Sequence, residues 1–262
     1  MATVQTQRIS VVNHKGGVGK TTTAINLAAG LGARGHRVLL IDWDPQGNAT
    51  QFLGRSDLVE AEQVYGSANF ARGEEGFDPQ REIVAGVDLL PATEDLAFLE
   101  EQTIRDAVTG AVLQLAKAVD RVAGDYEYII ADCGPTIGML ALSAMIACPQ
   151  VVMPIELAYG SIPGAFRLSK NIQRLHERVD PHIHVMGVLG TKHSESARSP
   201  QEILHKLREL FGELVFETTI HAAQAVRDSA GKGKPIILLD PRHRAAIQYD
   251  KLTDEVIHRG HA

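Results

Sequence analysis

A glycine-rich run near the N-terminus contains the residue types that bind phosphate. Residues 15–22 read KGGVGKTT and lie between a short apolar run and a stretch with helical spacing. Glycines let the backbone curl so that its N–H groups point at phosphate oxygens, and the following helix N-terminus adds a favourable dipole. In such a loop Lys20 reaches the outer phosphates and the Thr21 hydroxyl ligates Mg²⁺. The residues expected to bind nucleotide are Lys15, Gly16, Gly17, Val18, Gly19, Lys20, Thr21 and Thr22.

This run departs from the usual phosphate-loop pattern G-x-x-x-x-G-K-[ST]. The first glycine of that pattern would fall on His14, and an early lysine, Lys15, follows it. A second lysine could add positive charge for the γ-phosphate and the transition state. It could instead be an ordinary solvated lysine, and the residues alone leave both readings open.

Three carboxylates follow apolar runs that are typical of buried strands. Asp42 and Asp44 come after Val38–Ile41, and Asp132 comes after Tyr128–Ala131. Because the carboxyl ends of parallel strands meet at the ligand crevice, we expect these side chains near the phosphate loop. There they could hold Mg²⁺ through water or orient an attacking water. Taken singly, each could also be a helix cap or a turn residue.

The chain alternates short apolar runs with longer amphipathic stretches, which predicts a mostly parallel sheet with helical crossovers. The predicted strands are 9–12, 38–41, 87–90, 128–131, 151–155, 185–189, 215–219 and 236–239. The predicted helices are 22–34, 107–122, 166–179, 200–211 and 245–258. Residues 52–82 are expected to form a surface excursion with short helices. No change in composition suggests a second domain.

Composition restricts the class of protein. The chain has 262 residues, only two cysteines, and no apolar stretch near the roughly 18 residues that a membrane helix needs. Two thiols do not make a disulfide framework, and residues 1–8 lack the apolar core of a signal peptide. We therefore expect a cytoplasmic protein with no membrane segment.

The distribution of charge indicates where nucleic acid could bind. The net charge is −6, but residues 192–244 contain nine Lys and Arg against seven Asp and Glu, a balance of +2. The remainder has 17 against 25, a balance of −8. A basic face is thus expected only in the C-terminal third, although an ordinary solvated surface explains the same numbers.

These runs resemble the ParA/MinD family of ATPases, whose phosphate loop carries an early lysine. Residues 15–28, KGGVGKTTTAINLA, resemble that deviant Walker A loop. Residues 42–50, DWDPQGNAT, are similar to a segment of ParA/Soj partition proteins, and residues 211–241 resemble the C-terminal half of the family. The resemblance implies an α/β fold with a doubly wound, mostly parallel sheet flanked by helices. It also implies one domain over residues 1–262, with ATP or ADP and Mg²⁺ as cofactors.

The resemblance further implies a role for each site residue. Lys15 reaches the phosphates of a partner subunit in an ATP-sandwich homodimer, and Gly16 lies where the two loops face each other. Lys20 binds phosphates, and Asp44 positions the hydrolytic water. The implied metal-site residues are Thr21, Asp42 and Asp132, with the carboxylates acting mainly through water.

The implied partners are double-stranded DNA, bound by the ATP-bound dimer without sequence preference, and a ParB-like protein that stimulates slow hydrolysis. Such a protein acts on the bacterial nucleoid as a DNA-segregation ATPase. DNA binding in this family uses basic residues of the C-terminal half. The matching candidates are Arg198, Arg227, Lys232, Lys234 and Arg242.

Two segments depart from the family pattern. Cys133-Gly134-Pro135 stands where two prolines usually follow the strand-end Asp132, and residues 220–226, IHAAQAV, replace an Ile-Pro-Arg-Asn-Val run that helps hold the base. Trp43, between two acids, is expected to serve either packing or a dimer surface.

Three alternatives stay open at this level. A ParA-like ATPase could position a cargo other than DNA, and the sequence does not separate this from DNA segregation. A MinD-like membrane switch would need a basic amphipathic C-terminal tail, which the closing residues 256–262, VIHRGHA, do not resemble. An iron–sulfur reductase would need two suitably placed cysteines, and Cys133 directly follows Asp132.

Overall fold

The computed structural model describes residues 6–59, 64–105, 111–136, 138–158, 160–193 and 198–260. In these ranges eight strands form one sheet with helices on both faces. The strands are β1 (Gln7–Val11), β2 (Val38–Trp43), β3 (Gln80–Val84), β4 (Val87–Leu90), β5 (Tyr128–Cys133), β6 (Gln150–Glu156), β7 (His184–His193) and β8 (Val215–His221).

The helices of the described ranges cover the two faces of this sheet. They are α1 (Lys20–Ala33), α2 (Asn48–Phe52), α3 (Ser56–Val59), α4 (Ser67–Arg72), α5 (Asp95–Arg105), α6 (Gln114–Val122), α7 (Met139–Ala147), α8 (Ser161–Arg178), α9 (Arg198–Phe211), α10 (Gln224–Gly231), α11 (Ile236–Leu239) and α12 (Arg244–Gly260). Short 3₁₀ turns precede and follow α6 and follow α9.

The strand order is β3-β4-β2-β5-β1-β6-β7-β8, and every pair is parallel except β3 with β4. The predicted mostly parallel, doubly wound sheet is therefore confirmed. The antiparallel edge strand β3 lies in the stretch that the sequence predicted to be a surface excursion. That stretch also contains the short helices expected there.

Two apolar cores form because alternate residues of each buried strand face opposite sides of the sheet. In β2, Leu39 and Ile41 belong to one core, whereas Val38 and Leu40 belong to the other. We call the first the α8 face, since α4 to α9 pack there, and the second the α1 face, which α1, α11 and α12 cover. All six residues of β2 and of β5 are buried, as continuous apolar runs predict for central strands.

The prediction of a strand at 236–239 is wrong, because these residues form α11. Pro235 accepts hydrogen bonds from the backbone N–H groups of Leu238 and Leu239, which closes one helical turn. Ile236 and Ile237 are buried against the α1 face, and the N–H of Ile237 donates to the Asn26 side chain. A run of four apolar residues does not distinguish a strand from one turn of helix.

The remaining predicted elements are confirmed, most of them with shifted bounds, apart from the helix predicted over 107–122. In that region residues 106–110 lie outside the described part of the chain, and the described α-helix begins at Gln114. The sequence pattern did not predict the helices α2, α5, α7 and α10.

The strand register brings the predicted carboxylates to one edge of the sheet. Asp132 pairs with Asp42 on one side and with Val11 on the other, so β5 lies between β1 and β2. The loop after β1, the turn after β2 and the end of β5 therefore adjoin one another.

Candidate nucleotide site

The glycine-rich run forms a compact loop between β1 and α1. Gly17 and Gly19 have φ angles of +72° and +93°, which other residues rarely adopt, and Gly19 caps α1 at its N-terminus. Above the loop lies an open cleft of about 700 Å³. Its lining residues are Gly16, Gly17, Gly19, Lys20, Thr21, Thr22, Asp44, Asn48, Gln51, Phe52, Ser56, Pro135 and Ala230. The predicted loop residues except Lys15 and Val18 thus line one cleft.

Lys20 is the cation of this cleft. Only 6% of it is exposed, and its Nζ donates to the backbone carbonyl of Lys15 at 3.4 Å. Burial lowers the pKa of the ammonium, while the nearby Asp132, Cys133 and Asp44 act in the opposite direction. The carboxylates beside it favour the charged form, and the ammonium lies where it can reach phosphate oxygens.

Asp132 is fully buried at the end of β5, and neither of its carboxylate oxygens has a hydrogen-bond partner of normal geometry among the described residues. Burial raises the pKa of this carboxyl well above its usual value, and Asp42 adds to the rise, whereas Thr21 and Lys20 oppose it. Buried carboxylates are almost always paired or hydrogen-bonded. A buried carboxylate beside a threonine hydroxyl and a lysine ammonium fits a divalent cation held together with water and phosphate.

Asp44 faces the cleft from the turn after β2. Its two oxygens accept hydrogen bonds from the backbone N–H of Gln46 at 3.0 Å and from the Asn48 amide at 3.1 Å. A Cβ added at Gly134 would lie 3.0 Å from one Asp44 oxygen, so a glycine at that departure from the family pattern leaves room for this carboxylate. The side chain is thus oriented towards the space above the loop.

Asp42 lies beneath the cleft and does not line it. One of its oxygens accepts hydrogen bonds from the Thr50 backbone N–H at 2.8 Å and from the Thr50 hydroxyl at 2.6 Å. Burial raises the pKa of this carboxyl to about 7. The Thr50 hydroxyl in turn accepts from the N–H of Ala92, so Asp42 joins the turn after β2 to the segment after β4.

Lys15 points away from the cleft. Its Nζ lies 2.6 Å from one oxygen of Glu156, at the end of β6, and Lys192 lies 3.6 Å from the other oxygen. These lysines, Lys15 first, hold the pKa of Glu156 below its usual value. Sequence reasoning missed Glu156, since 141 residues separate it from Lys15.

A second pocket of about 310 Å³ adjoins the loop on the side of β7 and β8. Residues 220–223, Val226 and Tyr249 line it together with the loop glycines, so the segment that departs from the family pattern still forms a pocket wall. The rings of His221 and His193 stack there with centroids 4.5 Å apart.

The predicted DNA-binding residues whose side chains are described lie in one region of the chain but do not line the cleft. Arg227, Lys232, Lys234 and Arg242 are exposed on α10 and the segments around α11, and Arg227 also lines the second pocket. Arg198 begins α9, and its side chain lies outside the described part.

The expectation that only the C-terminal third carries a basic face is wrong. Helix α8, which precedes that region, presents Arg167, Lys170, Arg174 and Arg178 on its exposed side. Their spacing of three, four and four residues would have identified this face in the sequence, because such residues share one side of a helix.

The sequence left the role of Trp43 open between packing and a dimer surface. Trp43 serves packing: it is 2% exposed, and its indole N–H donates to the carbonyl of Leu140 at 2.9 Å. Cys133 is a small buried residue, 1% exposed.

Within the described part of the chain, no group of three or more His, Cys, Asp or Glu side chains could hold a metal ion by itself. Among the same residues, no helix combines the length and apolar character needed to cross a membrane.

Comparisons with known proteins agree with this geometry. Residues 6–185 match the family described as AAA domain. The chain is 33% identical to the sporulation initiation inhibitor protein Soj of Bacillus subtilis, over 96% of this chain and 98% of Soj. It is 32% identical to the chromosome partitioning protein ParA of Caulobacter vibrioides, over 96% of this chain and 94% of that protein.

A solved structure also superposes on nearly the whole chain. It is the cobyrinic acid a,c-diamide synthase from Mycobacterium smegmatis with bound ADP and magnesium, which is 26% identical with a TM-score of 0.80. The superposition covers 98% of this chain and 96% of that one. From its sequence relatives and its fold, the chain belongs to the ParA/Soj group of the ParA/MinD family and is a P-loop ATPase.

Proposed function

We propose that this protein is a DNA-segregation ATPase. In this proposal it forms an ATP-sandwich homodimer, binds double-stranded DNA without sequence preference, and hydrolyses ATP when a ParB-like partner stimulates it. It acts in the bacterial cytoplasm on the nucleoid, as a single domain over residues 1–262. The observation that carries the proposal is that Lys20, Thr21 and Asp44 line one cleft, with Asp132 buried beside Lys20, while Lys15 points out of it.

ATP or ADP and Mg²⁺ are the cofactors of this site. Lys20 and the loop N–H groups would bind the phosphates, and Thr21 with Asp132 would support the metal ion. The ion, when bound, neutralises charge on the phosphates. The fully buried carboxylate of Asp132, which lies close to Thr21 and Lys20, supports this assignment. The apolar pocket beside the loop is of a size and place that suit the adenine base.

Asp44 would orient the attacking water. Its carboxylate is held by two donors and lines the cleft, so it presents a fixed acceptor above the phosphate loop. Orienting a water for in-line attack is the main task left to the protein in phosphoryl transfer, because the metal and the lysines stabilise the charge.

Lys15 would complete the site of a partner subunit. Its Nζ is bound to Glu156 at the outer side of the loop, 46% of its side chain is exposed, and it does not line the cleft of its own chain. This position of the lysine favours contact with the phosphates bound by the partner subunit over contact with the phosphates bound by its own chain. Glu156 would then hold Lys15 until the second subunit presents its phosphates.

The basic residues Arg227, Lys232, Lys234 and Arg242, which we call the C-terminal patch, would contact DNA phosphates. All four are exposed, and none forms an ion pair in the described part of the chain. Such contacts act by releasing counterions, so binding weakens steeply as salt rises. A dimer doubles the number of contacts, which explains how ATP could control DNA affinity.

The proposed function is tested by DNA binding. A gel shift with duplex DNA of random sequence should require ATP and Mg²⁺ and should fail with Lys20→Ala, because that variant loses the cation of the cleft. Lys117→Ala, which removes an exposed lysine from α6, is the matched control and should bind like the unmodified protein. DNA binding that is independent of ATP, or retained by Lys20→Ala, would contradict an ATP-controlled DNA-binding dimer.

A second prediction concerns turnover. Asp44→Ala should bind ATP normally but hydrolyse it about 10²- to 10⁴-fold more slowly, since it removes the group that orients the water. Phosphate release measures turnover, and a fluorescent ATP analogue measures binding. Asp57→Ala, which removes an exposed carboxylate from α3, should leave both unchanged. Normal hydrolysis by Asp44→Ala would show that another group orients the water.

A third prediction concerns the ion pair of Lys15. Glu156→Gln should strengthen ATP-dependent dimerisation, because Lys15 then leaves no charged partner when it moves to the other subunit. An exposed ion pair contributes at most about 1 kcal/mol, so two pairs per dimer correspond to a dissociation constant up to about 30-fold lower. Sedimentation with a non-hydrolysable ATP analogue measures the constant.

The control for this variant is Glu217→Gln, which breaks another exposed ion pair, with Arg208, and should have no effect. A weaker dimer for Glu156→Gln would mean that Glu156 positions Lys15 for the partner's phosphates and does not restrain it.

A further inference from the structure

Helix α8 carries four long basic side chains on one exposed strip. Arg167, Lys170, Arg174 and Arg178 fall within an arc of about 80° at 3.6 residues per turn and extend about 16 Å along the helix. We call this set the α8 stripe. The opposite side of the helix, with Ala165, Leu168 and Ile172, is buried against the sheet.

The α8 stripe lacks counter-ions within the described residues. None of its four cations lies within 4.0 Å of an acidic oxygen there. The one acidic residue of α8, Glu177, accepts a hydrogen bond from the Gln173 amide at 3.0 Å. The Nζ of Lys170 lies 4.6 Å from the centroid of the Phe166 ring, which is a cation–π contact.

Such a strip is unusual for the composition of this chain. The protein has 32 acidic against 26 basic residues, so a solvated helix would be expected to mix both signs. Four unpaired cations in a row repel one another and gain from an external polyanion. Lys and Arg clustered along a helix are the electrostatic footprint of nucleic-acid binding.

The spacing suits the backbone of a duplex. Each DNA strand carries a phosphate about every 3.4 Å of helix axis, so a strip about 16 Å long faces about five phosphates of one strand. Three of the four residues are arginines, whose planar guanidinium groups match phosphate oxygens in pairs. An acidic protein segment could bind the stripe only if its carboxylates had the same spacing as the four cations. Any DNA duplex, in contrast, carries phosphates at this density along its backbone.

The α8 stripe is separate from the C-terminal patch. α8 packs on the α8 face of the sheet, whereas α11 and α12, which flank the patch, pack on the α1 face. The two surfaces therefore belong to opposite sides of one protomer. We propose that the α8 stripe is a second surface for the backbone of duplex DNA, and this rests on the proposed DNA-binding function.

The test compares charge-matched double variants. Arg167→Glu/Arg174→Glu changes two residues of the stripe, and Lys117→Glu/Lys251→Glu makes the same charge change at exposed lysines of α6 and α12. Fluorescence anisotropy with a random-sequence duplex, a non-hydrolysable ATP analogue and a series of salt concentrations gives the affinity and its salt dependence. Thermal unfolding shows that each variant is folded.

The stripe variant should bind DNA at least about 10-fold more weakly than the control variant, and its log–log salt slope should be shallower by about two, one for each lost phosphate contact. The neutral variant Arg167→Gln/Arg174→Gln should also bind DNA more weakly. Because glutamine adds no negative charge, this variant measures the lost attraction without added repulsion. An Arg227→Glu/Lys234→Glu variant of the C-terminal patch should lose affinity independently.

If the stripe variants bind DNA with the affinity and slope of the control, the stripe is not a DNA surface, although the proposed function stands. If the unmodified protein does not bind DNA with nucleotide, the proposed function fails, and the assignment of the stripe fails with it.

Discussion

The site depends on one buried carboxylate. Asp132 lies at the end of a central strand with no hydrogen-bond partner of normal geometry among the described residues, 0% exposed, and with a pKa raised by burial. An isolated charge in such a place is costly, and only nearby cations reduce this cost. Lys20 supplies one positive charge, and a divalent ion beside Thr21 would supply the rest. The loop, the carboxylates and the lysine therefore form one electrostatic unit.

The parallel sheet brings this unit together. Because β5 lies between β1 and β2, the phosphate loop, Asp44 and Asp132 emerge at the same edge, although more than a hundred residues separate the first from the last. Asp42 acts one layer below, where Thr50 binds it and ties the turn after β2 to the segment after β4. Lys15 belongs to a different set of contacts, since Glu156 of β6 draws it to the outer side of the loop.

Local patterns in the sequence were enough to predict most of the sheet and most of the residues that gather at the cleft. The loop residues, Asp44 and Asp132 follow from glycine spacing and from the ends of apolar runs, and the structure brings them together. Glu156 could not be found in this way, because its role depends on an ion pair with Lys15, which is 141 residues away in the sequence. Residues 236–239 were assigned to a strand because a short apolar run fits either structure. The α8 stripe could have been predicted from the helical spacing of its four basic residues. Comparing the net charge of whole regions instead hid this basic strip on a single helix.

We propose that nucleotide closes a dimer through the phosphate loop. Light scattering should show that a non-hydrolysable ATP analogue with Mg²⁺ doubles the mass of the unmodified protein, whereas ADP leaves a monomer. Gly16→Val should bind the analogue and remain a monomer, because a Cβ at Gly16 has no atom within 4 Å in its own chain and would meet the second loop in the proposed dimer. A monomer for the unmodified protein with the analogue, or an unimpaired dimer for Gly16→Val, would contradict this account.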